Sequence, residues 1–197
     1  MTQTKSPSSG QRGFTIIETM IAIAIMSIGI LTLIAAFATA VNATANAQEN
    51  LIARQKTLEA MESIYTARNT QQITFAQIAN TSSGGIFTTG ASQLLCAGPD
   101  GLVNTADDVS CPASGPCVAG PECVVLPGPD GILGTGDDVA MSLSNFTRQI
   151  QIGTVLEADG VTIDPNLKKV TVTINYLSGG STVPHTYSVQ ALISAFR

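Results

Sequence analysis

Apolar side chains follow three successive patterns along this chain. From Phe14 to Ala47 the only charged residue is Glu18, and the core of that run reads IIETMIAIAIMSIGILTLIAAFATAV. The run is long enough for a helix of about 20 residues to cross a bilayer. After Ala47 the pattern turns amphipathic: Leu51, Leu58, Met61 and Tyr65 recur at helical spacing, with Arg54, Lys56, Glu59 and Glu62 at other positions. Without proline between Phe14 and Ile64, the two patterns predict one continuous helix over 14–68, about 80 Å long at 1.5 Å per residue. Gly29 alone would weaken it, by about 1 kcal/mol relative to Ala. The distal half of the helix is expected to carry the apolar face on which a sheet packs, since two heptads are short for a coiled coil.

Residues 69–93 are polar, rich in Gly, Ser and Thr, and poorly periodic, which predicts a connector with one short helix. Alternation then marks strands at 145–155 through Phe146, Arg148, Ile150 and Ile152, and at 168–177 through Val170, Val172, Ile174 and Tyr176. A turn at Ser178-Gly179-Gly180-Ser181 leads into a returning strand over 182–196, where Pro184 points to a sheet edge or an irregular start. The fold class is therefore α+β: a long N-terminal helical spine with an antiparallel β-sheet head of three or four strands.

Charge orients the apolar run. Lys5 and Arg12 precede it and no charge follows until Glu49, so the positive-inside rule keeps the N-terminus cytoplasmic and exports the rest. An ordinary secretory signal is the competing reading, because AFATAVNATANA offers small residues after the core. Glu18 opposes it: an ionised carboxylate in hydrocarbon costs at least about 2.5 kcal/mol and calls for a partner.

The stretch Arg12-Gly13-Phe14-Thr15-Ile16-Ile17-Glu18 resembles the processing motif of type IV prepilins and type II secretion pseudopilins. That motif is a basic leader ending in Gly, then Phe, with Glu at the fifth mature position. The resemblance spans residues 10–65. It implies that prepilin peptidase cuts between Gly13 and Phe14 and methylates the new Phe14 amine. It also implies that Glu18 pairs with the Phe14 amine of a neighbouring pilin subunit, which makes a buried charge a register device. The run Ile25-Met26-Ser27-Ile28-Gly29-Ile30-Leu31-Thr32-Leu33 is similar to PilV-type minor pilins. The resemblance and the residue patterns together divide the chain into a leader at 1–13, a transmembrane or filament-core helix at 14–44, its amphipathic continuation at 45–68, the connector at 69–93, a Cys-rich acidic repeat loop at 94–139 and the sheet at 140–197. The expected location is the inner membrane before assembly, single-pass, and then a pilus or periplasmic filament at the cell surface.

Composition narrows the remaining chemistry. The net charge of −5 becomes −7 once Lys5 and Arg12 leave with the leader, and an acidic chain is a poor partner for nucleic acid. Cys96, Cys111, Cys117 and Cys123 lie close together among Pro and Gly. On an exported segment they read as two disulfides with three possible pairings; zinc is the alternative, though no CxxC pair is present. The segments GPDGLVNTADDV (98–109) and GPDGILGTGDDV (128–139) form an internal repeat that aligns Asp100, Asp107 and Asp108 with Asp130, Asp137 and Asp138. No Lys or Arg occurs between Arg68 and Arg148, so calcium could offset the local negative charge. Two solvated, Asp-capped turns are the alternative. The only histidine, His185, falls in a predicted strand, and no catalytic motif surrounds any nucleophile. Three functions remain: a minor pilin, a type II secretion pseudopilin, or a membrane-tethered calcium-binding surface protein that does not polymerise.

Overall fold

A computed structural model of the 197-residue chain describes residues 13–178 and 183–196. The expected leader residues 1–12 and the turn residues Gly179, Gly180 and Ser181 lie outside the described residues. The chain divides into two compact units, Met1–Thr44 and Ala45–Arg197. One helix, α1, covers Ile16–Asn69. Thr15 stands at its N-cap, where its hydroxyl oxygen accepts the Glu18 backbone N–H at 3.3 Å, the arrangement expected of a Thr-x-x-Glu start. At the other end Gln71 adopts φ 63°, a left-handed conformation that stops helical hydrogen bonding.

In the first unit every described residue is exposed. Its hydroxyl groups are satisfied within the helix: Thr19 donates to the Ile16 carbonyl, Ser27 to Ile23, Thr32 to Gly29 and Thr39 to Ala36, at 2.7–2.8 Å. The hydroxyls of Thr19, Ser27, Thr32 and Thr39 are therefore paired without recourse to solvent.

The second unit holds a four-stranded antiparallel sheet in the order β1-β4-β5-β6, formed by Ser92–Gln93, Phe146–Leu156, Ile163–Tyr176 and His185–Ser194. A separate hairpin joins β2 (Cys123–Leu126) to β3 (Val139–Ser142). The class is thus the expected α+β, with the last strand at the edge. Register pairs Phe146 with Tyr176, Ile150 with Val172, and Val172 with Val189, so the residues that alternate in the sequence share one face. That face meets α1 in two clusters. Ala60, Met61, Ile64 and Ala67 pack with Ile150, Val170, Val172 and Ile193; Ile52 and Ala53 pack with Leu94, Leu143, Phe146, Ile174 and Tyr176.

The helix face chosen by the sheet differs from the expected one. Met61 is buried and Tyr65 half-buried, but Leu51 and Leu58 are 64% and 45% exposed. The buried stripe instead runs through Ala53, Thr57, Ala60, Ile64 and Ala67. Small side chains let the sheet approach the helix backbone, and close packing outweighs the larger transfer energy of two leucines. The connector also differs from its polar appearance. It forms a 3-10 turn at Thr81–Ser83 and sends Ile73, Ile78 and Phe87 into the first cluster.

β1 covers only two residues of β4. Asn80 serves the rest of that edge as a strand would: its Nδ2 donates to the Ile150 carbonyl at 2.8 Å, and its Oδ1 accepts the Ile152 N–H at 2.9 Å. One side-chain amide thereby replaces a missing peptide unit.

Candidate functional site

Gly13 and Phe14 precede the first turn of α1 and are exposed, as is Glu18 in that turn. The Glu18 backbone is held by the Thr15 cap, which places an acidic side chain near the positive end of the helix dipole. Among the described residues, α1 is the helix long and apolar enough to cross a membrane.

In the second unit the two acidic repeats build the same loop. Each opens with a turn closed by a backbone bond, Gly101 N–H to the Gly98 carbonyl and Gly131 N–H to that of Gly128, both 3.0 Å. The Asp100 carboxylate accepts the Leu102 N–H and that of Asp130 the Ile132 N–H, both at 2.8 Å. Further along, Asp107 accepts the Asp100 N–H and the Thr105 hydroxyl, and Asp137 accepts their counterparts from Asp130 and Thr135. Asp108 accepts the Asn104 N–H and Asp138 the Gly134 N–H, both at 2.7 Å. These donors matter for charge. The Thr105 hydroxyl, foremost, holds the Asp107 carboxyl below the usual carboxylate range, and Thr135 does the same for Asp137. Gly98 and Gly128 are required because a Cβ at either would overlap the backbone and carboxylate of Asp107 or Asp137.

The two copies part ways where they meet the head. In the first, Leu102 and Asn104 are each 1% exposed. Leu102 joins the first core cluster, and the Asn104 side chain bonds Thr88 and Ser92. In the second, Ile132 and Leu133 are both 60% exposed, and Gly134 takes the left-handed position that Asn104 holds in the first. A further asymmetry concerns one oxygen: Asp108 Oδ1 accepts the N–H and hydroxyl of Thr105, at 3.3 and 3.1 Å, whereas Asp138 Oδ1 is buried without a partner. Among the described residues no three His, Cys, Asp or Glu side chains gather in a group able to hold a metal ion.

Of the three pairings open to the cysteines, the structure adopts Cys96–Cys111 and Cys117–Cys123. The first encloses the first acidic loop, and reciprocal 3.0 Å bonds between Cys96 and Val109 close it like a short ladder. All four sulfurs are thus consumed, which removes the zinc alternative.

Sequence reasoning missed a charged cluster beside these disulfides. Glu122, next to Cys123, meets Lys56 of α1 at 2.7 Å with one carboxylate oxygen and Arg148 of β4 at 3.3 Å with the other. Lys56 also meets Glu59 at 2.9 Å. Arg148 Nη2 donates to the Leu95 carbonyl at 3.4 Å. Burial works against the Lys56 ammonium, but the bonds and charges of Glu122 and Glu59 outweigh it and raise its pKa. The only signal in the sequence was Arg148 on the inward face of an alternating strand, a charge that had to find a partner. The cluster and both disulfides line a cleft of about 470 Å³. The Glu122 ion pairs tie the segment before Cys123 to helix and sheet.

No curated protein and no solved structure matches the chain. A family model described as the prokaryotic N-terminal methylation motif matches residues 8–34, the segment that contains Gly13, Phe14, Glu18 and the first turns of α1. The motif belongs to structural proteins, suggests processing by prepilin peptidase and assembly with pilin subunits, and with the apolar helix fits single-pass inner-membrane insertion before assembly. Together with a long N-terminal helix followed by a four-stranded antiparallel sheet, it marks a type IV pilin-like or pseudopilin protein.

Proposed function

We propose that this chain is a minor pilin of a type IV pilus, a structural or assembly subunit that supports pilus biogenesis, motility or adhesion. One observation carries the reading: the methylation motif opens directly into a proline-free helix whose residues up to Ala47 are all exposed. So much unburied apolar surface requires lipid first and neighbouring helices afterwards. Gly13→Ala should leave an uncut precursor in the inner membrane, and N-terminal sequencing of the wild-type mature chain should begin at Phe14. A mature start after Ala40 or Ala47 would refute the reading. Glu18→Ala should be processed yet enter sheared pili poorly. Recovery of the protein in a secretion-system filament rather than in pili would assign it to the pseudopilins.

We also propose calcium as a ligand of the second acidic loop, on the strength of Asp138 Oδ1, the buried oxygen that lacks the donors its counterpart has in the first loop. Asp137 and Asp138, together with carbonyl oxygens of the loop and water, would supply hard oxygen ligands there. Calcium should raise the melting temperature of residues 45–197 over chelator, and Asp137→Asn/Asp138→Asn should abolish the rise. Equal melting in calcium and chelator, or an equal rise with magnesium, defeats the proposal.

A further inference from the structure

The β2–β3 hairpin leaves one edge open beside the cleft. The Leu143 N–H donates to the Glu122 carbonyl at 2.9 Å, and beyond it Val124 and Leu126 stand opposite Met141 and Val139. An antiparallel ladder bonds alternate residues, so Val124 and Leu126 present their peptide groups to β3 while those of Cys123 and Val125 turn the other way. Among the described residues nothing bonds the N–H or C=O of Cys123 or Val125 on that side. Elsewhere the head covers such groups with side chains: Asn80 serves β4, and Tyr65 and Arg68 take the Leu192 and Ser194 carbonyls of β6. The open edge of β2 is held in place, because Val124 packs against the second core cluster and Cys123 is tied to Cys117. Cys123 and Val125 themselves line the cleft of about 470 Å³, together with Val103 and Val118.

We propose that an extended, cationic peptide segment of a partner protein adds to this edge as a third strand. Its main chain bonds the free peptide groups of Cys123 and Val125, and an aliphatic side chain on the face it shares with them enters the cleft. Main-chain bonds supply the affinity in such an addition and the pocket for alternate side chains supplies the specificity. A segment of about four residues, roughly 13 Å, is enough to span the strand. Charge selects its class. Lys56 and Arg148, the cations of the cleft, are already held by Glu122, whereas the Glu59 side chain at its rim is 58% exposed and Glu62 is exposed beyond it. No Lys or Arg occurs between Arg68 and Arg148, and seven of the fourteen acidic residues fall within 98–139. An acidic segment is therefore repelled and a basic one drawn in. The proposal depends neither on processing at Gly13 nor on calcium.

The test uses the full chain in detergent micelles, with both disulfides formed, and a randomised octapeptide library as the probe. Selected peptides should be enriched in Lys and Arg beside alternating aliphatic residues. A selected peptide should slow hydrogen exchange at the Cys123 and Val125 amides and leave that of Val124, already paired with β3, unchanged. Methylating alternate backbone nitrogens of the peptide in one phase should weaken binding by about tenfold or more, and in the other phase should not. Glu59→Lys should weaken it by about tenfold. Val125→Pro removes a donor that points away from β3, where a sheet tolerates proline, and should weaken binding while melting is retained; if that variant fails to fold, the methylated peptides decide on the unaltered protein. No enrichment, enrichment of acidic peptides, or equal binding of both methylated forms overturns the proposal. So does protection of Cys123 and Val125 that grows with the concentration of the chain alone, which would give the edge to a second copy.

Discussion

Glu122 should be the most stability-critical carboxylate of the head. Its two oxygens serve different cations, Lys56 at 2.7 Å and Arg148 at 3.3 Å, and Arg148 is only 2% exposed. Glu122→Gln keeps the shape of the side chain and removes its charge. Lys56 would retain Glu59, but Arg148 would keep a buried positive charge with a backbone carbonyl as its main acceptor. Breaking a buried pair from one side costs about 3–5 kcal/mol. Because glutamine still accepts one hydrogen bond, the expected loss lies at the lower end, about 3 kcal/mol. At about 2–4 °C per kcal/mol for a domain of this size, melting should fall by roughly 6–12 °C. The assay is thermal and urea unfolding of residues 45–197 at pH 7 with both disulfides intact, a unit that contains both core clusters in full. Glu59→Gln, at an exposed partner, should cost no more than about 1 kcal/mol. Replacing all three members together (Lys56→Met, Glu122→Leu, Arg148→Met) should recover most of the loss, because the desolvation cost disappears with the charges. If Glu122→Gln unfolds within 1 kcal/mol of wild type, the cluster is hydrated in solution and the argument from burial fails.

The two faces of α1 should respond differently to truncation: Ile64→Ala should cost about 2–5 kcal/mol in the isolated head, whereas Leu58→Ala should stay within about 0.5 kcal/mol, and equal losses in urea unfolding would contradict the observed rotation of the helix. Asn80→Ala leaves the Ile150 carbonyl and Ile152 N–H unpaired, an expected loss of about 1–3 kcal/mol; hydrogen exchange should quicken at Ile152 first, and unchanged protection there would rule out the edge-capping role. Asp107 and Asp137 have folded pKa values below their unfolded ones, so their contribution is complete above the unfolded value of about 3.9 and is lost as pH falls through the lower folded values. Melting should therefore drop below about pH 4, and Thr105→Val/Thr135→Val should flatten that drop; an unchanged acid profile in the double variant would show that the threonine bonds do not set it.

Much of this protein is legible along one dimension. The leader junction at Gly13 and Phe14, the apolar run and the alternating strands at 145–155 and 168–177 are patterns of neighbouring residues, so local sequence carries them. The inward face of β4 and β5 follows from the period of two once the strands are placed. The repeat was equally visible, because its turns close on their own Asp and Thr side chains within twelve residues. What the tertiary structure alone decided are choices between faces and partners. Both a leucine stripe and an alanine stripe run along α1, and only contact with the sheet selects the alanine side. Four cysteines permit three pairings, and the folded path of residues 94–126 selects one. Asn80 completing β4, and Glu122 joining Lys56 to Arg148, are bonds between residues 26 to 72 positions apart. No local pattern encodes such meetings, because they depend on where packing of the core brings distant segments together. The same holds for the two acidic loops, nearly identical in sequence, of which only the first found room in the core for its leucine.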